Sequence, residues 1–83
     1  MYKITLGIDG MACSMCESHV NETIRKNFTV QKVTSNHKKN LCEIICEENY
    51  GEQAFRNALD PTGYRVISYQ REPYVKKRFS LFG

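Results

Sequence analysis

Residues 2–20 read YKITLGIDGMACSMCESHV, and a change of period inside them decides the fold. Tyr2, Ile4, Leu6 and Ile8 alternate with Lys3, Thr5, Gly7 and Asp9, the period-two pattern of a strand with one buried face. Further on, Val20 and Ile24 lie four apart while Glu17, Glu22, Arg25 and Lys26 take the remaining faces. That spacing predicts a one-sided helix of about three turns, ending near Asn27. Between strand and helix lies the loop Gly10–Met15. Two of the chain's four cysteines, Cys13 and Cys16, fall where the loop runs into the helix.

Working outward, Val30–Asn36 carries the β-branched Val30, Val33 and Thr34 and predicts a second strand, followed by a polar turn over His37, Lys38, Lys39 and Asn40. Leu41–Glu47 returns as a third strand. Asn49 is placed to cap a second helix, with Glu52 in capping-box position and an apolar face of Ala54, Phe55, Ala58 and Leu59. Pro61 and Gly63 stop it, and Tyr64–Gln70 predicts a fourth strand. The order is βαββαβ, an α+β, ferredoxin-like arrangement: a four-stranded antiparallel sheet with both helices on one face. In that layout Gly10–Cys16 faces Thr62–Tyr64.

At 83 residues the chain holds one small core. With 41% hydrophobic and 25% charged residues it has the composition of a globular protein. No run approaches the roughly 20 apolar residues that span a bilayer, so a soluble, cytoplasmic protein is expected. The net charge of +3 lies in the segment from Arg71 to Arg78, where Arg71, Lys76, Lys77 and Arg78 face Glu72 alone. The folded part is then near neutral, which argues against a nucleic-acid partner. Residues 1–71 are expected to form the domain and 72–83 a basic, aromatic tail. For the tail, EPYVKKRFSLFG, packing back on the open sheet face is expected ahead of docking on a membrane transporter. Its run of three cations attracts an anionic surface by only about 3 kcal/mol, too little for stable membrane insertion.

Three uses are open to the Cys13–Cys16 pair: a metal site, a redox couple or a structural disulfide. So short a loop constrains the unfolded chain little, which disfavours the last. Cys16 in the first helical turn meets unpaired N–H groups and the positive end of the helix dipole, which favour the thiolate. Two soft thiolates with no further cysteine or histidine in obvious reach suit copper(I) better than zinc(II), which usually takes four ligands. Thioredoxin-like redox sites also place C-x-x-C at a helix start, but within an α/β pattern and usually after a tryptophan. This chain has no tryptophan and another element order.

GMACSMC, with Ile8-Asp9-Gly10 before it, Val20 and Ile24 on the helix, the Val30–Val33 strand and Gly63-Tyr64 ahead of the last strand, resembles the heavy-metal-associated domain family over residues 2–70. That family comprises small copper chaperones and N-terminal domains of P-type metal-transporting ATPases. The resemblance implies that Cys13 and Cys16 are metal ligands, that Met11 is a buried prop for the loop and that Tyr64 stands beside the site. Zinc-exporting relatives often carry aspartate just before the first cysteine; Ala12 here tilts the expected metal toward copper(I) over zinc, cadmium or mercury. The expected task is ligand-exchange transfer to a C-x-x-C partner such as a P-type ATPase, without covalent catalysis. A transporter-derived regulatory domain and a homodimer bridged by shared metal stay open, and a thiol oxidoreductase is the rival from another class.

Cys42 and Cys46 share one face of the third strand with Ile44, which predicts core packing. Along a strand they would stand about 13 Å apart, too far for one ion or a disulfide. Met15 is expected exposed at the rim of the site, His19 on the helix surface and His37 in solvent.

Overall fold

The computed structural model describes residues 1–74, so the expected packing of the tail beyond Tyr74 lies outside the described residues. The elements are β1 (Tyr2–Asp9), α1 (Ser14–Asn27), β2 (Lys32–Asn36), β3 (Leu41–Cys46), α2 (Glu52–Leu59), a 3-10 turn (Asp60–Thr62) and β4 (Arg65–Pro73). They form the ferredoxin-like βαββαβ fold, with one antiparallel sheet in the order β2-β3-β1-β4. Ile4, Leu6 and Ile8 of β1 and Cys42, Ile44 and Cys46 of β3 are fully buried, as the alternation requires. They meet Val20 and Ile24 of α1 and Phe55 and Leu59 of α2 in one core, which Met11, Val33 and Val66 complete.

Where Val30 and Asn49 depart from expectation, a contact with a residue distant in the sequence wins. Val30 stays outside β2, because Phe28 turns into an aromatic cluster with Tyr50 and Phe55 (ring centroids 4.8 and 4.6 Å) and Thr29 N–H donates to the Tyr50 hydroxyl (3.1 Å). Pairing with β3 resumes at Gln31, whose N–H donates to Ile45 O at 2.7 Å. Gly51, not Asn49, is the N-cap of α2; Glu52 spends its carboxylate on Arg56 one turn on, while Asn49 Oδ1 accepts from Arg71. β3 ends at Cys46, whose thiol donates to Glu48 O at 3.2 Å.

β4 runs on to Pro73 instead of stopping at Gln70. Tyr74 N–H donates to Met1 O, so by strand alternation the Pro73 nitrogen points away from β1. On an edge strand the proline then removes no ladder bond. A bulge between Gly7 and Ile8 leaves Ile67 without a partner on β1. It resets the side-chain parity, so that Val66 opposite Ile8 and Tyr69 opposite Leu6 both face the core although they are three apart. Gly7 lets β4 come close there: a Cβ would meet Ser68 Oγ and force that hydroxyl to swing aside.

Candidate metal centre

The loop after β1 is built by its ends. Gly10 turns the chain with φ 106°, and its bare Cα lets the Tyr64 ring pack over it: a Cβ would lie 3.3 Å from Tyr64 Cδ1. Gly63, at φ 94°, closes the 3-10 turn and delivers Tyr64 to this position. The two loops therefore meet, as the topology predicts. Met11 is 6% exposed and belongs to the core, tying the loop to the sheet. Met15 is 72% exposed, on the outside.

Cys13 is the N-cap of α1. Its carbonyl accepts from Cys16 N–H (3.0 Å) and Glu17 N–H (3.4 Å), while its side chain makes no cap hydrogen bond. The backbone thus starts the helix, and the exposed Cys13 thiol, left out of the cap, lies beside Cys16. Cys16, half-buried in the first turn, is lowered from 9.0 to about 7. A hydrogen bond from the Tyr64 hydroxyl is the main cause, backbone hydrogen bonds at Ala12 and Cys13 add to it, and burial opposes it. The same contact pushes Tyr64 up to about 12, because its proton is held by the sulfur.

Three of the four residues expected at the site, Cys13, Cys16 and Tyr64, therefore come together here, and the fourth, Met11, packs in the core. Among the described residues no group of three or more His, Cys, Asp and Glu side chains is placed to share an ion. An ion held between Cys13 and Cys16 would have two sulfur ligands and open coordination positions, an arrangement that suits a soft d10 ion and ligand exchange. His19 is exposed on α1.

Cys42 and Cys46 are buried elsewhere, in the sheet face. Burial raises Cys42 to about 11 and also raises Cys46, so both stay protonated and unreactive.

One contact is absent from the sequence reading. His37 is not in solvent: its backbone N–H donates to Glu17 Oε2 at 2.8 Å, and its Nδ1 lies 2.7 Å from the same oxygen. These bonds, the backbone one first, hold the Glu17 carboxyl below its usual range. Only the topology signals this pair, because twenty residues separate the two.

No family model matches the chain, and no curated protein matches it. Solved structures do. The CopZ metallochaperone superposes with a TM-score of 0.70 at 20% identity, over 78% of this chain and 98% of that one. A copper binding domain from HMA7, a P-type ATPase, gives 0.70 at 20% identity over 88% and 96%. The N-terminal domain of ZntA in its Zn(II) form gives 0.68 at 19% identity over 90% and 97%. The fold is the one these metal-binding structures share.

Proposed function

We propose that the protein carries a soft metal ion, copper(I) before zinc(II), between the Cys13 and Cys16 thiolates and passes it to a C-x-x-C acceptor. What carries this reading is a thiol poised near neutrality beside an exposed one, with no third His, Cys, Asp or Glu side chain placed to share an ion among the described residues. Cys16, beside Tyr64 and in the first turn of the helix, is the anchoring ligand. Cys13, exposed at the helix cap, is the one an incoming thiolate displaces. Met11 holds the loop to the core and Tyr64 stabilises the Cys16 thiolate. The acceptor fits a P-type metal-transporting ATPase, since one structural neighbour is a copper binding domain of such a transporter. The reading places the chain in the cytoplasm, where thiols stay reduced, and makes it a binding protein, not an enzyme. No helix among the described residues is long and apolar enough to cross a membrane.

An anaerobic competition titration of the reduced chain with chromophoric chelators for copper(I) and zinc(II) tests it. Tight one-to-one copper(I) binding with weak zinc(II) binding is the expected result. Equal retention of zinc(II) would move the cargo to a divalent ion, as the Zn(II)-bound neighbour allows. Failure to hold either ion would overturn the carrier reading and make the reduction potential of the pair the next quantity to measure.

A further inference from the structure

β1 and β2 are both antiparallel to β3, and hence parallel to each other. The turn after β2 therefore emerges at the same end of the sheet as the thiol loop after β1. It touches the loop's surroundings twice. Asn40 O accepts from Ile8 N–H (2.8 Å), near the end of β1, and His37 reaches Glu17, the residue after Cys16, through its backbone N–H and Nδ1. A carboxylate only accepts, so Nδ1 carries the proton in this contact. Both side chains are about three-quarters covered, at 27% and 25% exposure, which shields the pair from water.

The thiol loop therefore has two flanks. Gly63 and Tyr64 support it on the β4 side through Gly10 and Cys16. On the β2 side the first turn of α1 is held by the turn over residues 37–40. We propose that Glu17 and His37 are a positioning pair, which bonds the first turn of α1 to the β2–β3 turn and so keeps Cys16 in place for the metal. The inference rests on the carrier reading above. With two protein ligands, the ion's geometry depends on how firmly the backbone holds each sulfur. Contacts one step behind the ligands then set affinity, commonly by about 10–100-fold.

His37→Ala removes the ring and its hydrogen bond. His37→Asn puts an amide N–H where Nδ1 stood, and so restores it. At one fixed pH, copper(I) affinity should fall by about tenfold in His37→Ala and return to within about threefold of the unaltered chain in His37→Asn. In the metal-free reduced chain the backbone amides of Cys16 and Glu17 should show microsecond–millisecond exchange broadening in His37→Ala, and not in His37→Asn. The His37 backbone N–H still donates to Glu17 in His37→Ala, so Glu17→Ala, which removes both bonds, is the decisive variant: unaltered affinity and sharp amides in Glu17→Ala would overturn the pairing. Equal loss in His37→Ala and His37→Asn would overturn the role of the ring, by showing that the imidazole acts through something other than this bond. If the unaltered chain binds no soft metal, the carrier reading fails by itself, and the metal-free amide exchange still decides whether the pair holds Cys16.

Discussion

The chain carries two cysteine pairs, and they differ in everything but residue type. Cys13 and Cys16 stand at a helix start where backbone N–H groups and the Tyr64 hydroxyl stabilise a thiolate. Cys42 and Cys46 point into the core from the middle of the sheet. The first environment lowers a thiol to about 7, and the second raises one to about 11. At neutral pH that leaves about half of Cys16 ionised against about one part in ten thousand of Cys42. Chemistry in this protein is therefore a property of position, and experiments that exchange or erase positions test it most sharply.

The largest contrast is in metal binding. Replacing Cys13 and Cys16 together by serine should abolish copper(I) binding with the circular-dichroism spectrum unchanged. Replacing Cys42 and Cys46 together by alanine should leave one equivalent bound. A full equivalent in the first double variant would place the site elsewhere. Next in size is thiol reactivity in the native, reduced chain. Iodoacetamide should add two groups, at Cys13 and Cys16, and reach Cys42 and Cys46 only after denaturant unfolds the chain; intact and peptide mass spectrometry reads this directly. Early labelling of Cys42 would mean that the sheet face opens more readily than its full burial implies.

Stability reverses the contrast. Cys42→Ala removes a buried sulfur among Leu6, Ser35 and the rest of the core, and should cost about 1–2 kcal/mol in urea unfolding. Cys13→Ala touches an exposed side chain that makes no cap bond, and should stay within about 0.5 kcal/mol. A large loss at Cys13 would show that its side chain, and not only its carbonyl, helps start α1.

These contrasts were legible in the sequence to unequal degrees. The alternation in β1, the four-residue step in α1 and the turn residues between elements are short-range signals, and from them come the element order and the place of both cysteine pairs; the buried Met11 is expected only from the family resemblance of the motif. Long-range competition was not legible. Asn49 has the right spacing for a cap, yet Arg71 takes its side chain. Val30 has strand propensity, but the chain before it is committed to the packing of Phe28 on Phe55. Pro73 reads as a strand end unless β4 is known to be an edge. His37 is the clearest case: its neighbours Lys38 and Lys39 mark a solvated turn, and nothing local announces that the turn will meet Glu17.

The smallest expected effect isolates the cause of the difference between the pairs. Tyr64→Phe deletes one hydroxyl and leaves the ring that packs over Gly10. Because that hydroxyl is the largest influence holding Cys16 near 7, the variant's thiol should titrate closer to 9.0, as the pH dependence of its alkylation rate would show. The shift has a consequence for folding. A thiol that titrates near 7 when folded and near 9.0 when unfolded binds fewer protons in the native state between those values, so stability rises with pH across that window and its contribution is lost as pH falls through 7. Cys42 acts in the opposite sense. Its folded value near 11 keeps a proton that the unfolded thiol releases, so its contribution is complete below 9.0 and is lost as pH rises through 11. In urea midpoints, Tyr64→Phe should flatten the rise between 7 and 9, keep the part of the fall that Cys42 causes from 9.0 upward, and soften the fall above 10.0, because the hydroxyl that is held near 12 in the folded chain is gone. An unaltered rise would assign the low Cys16 value to the backbone hydrogen bonds at Ala12 and Cys13, making the helix start, and not the tyrosine, what separates the two pairs.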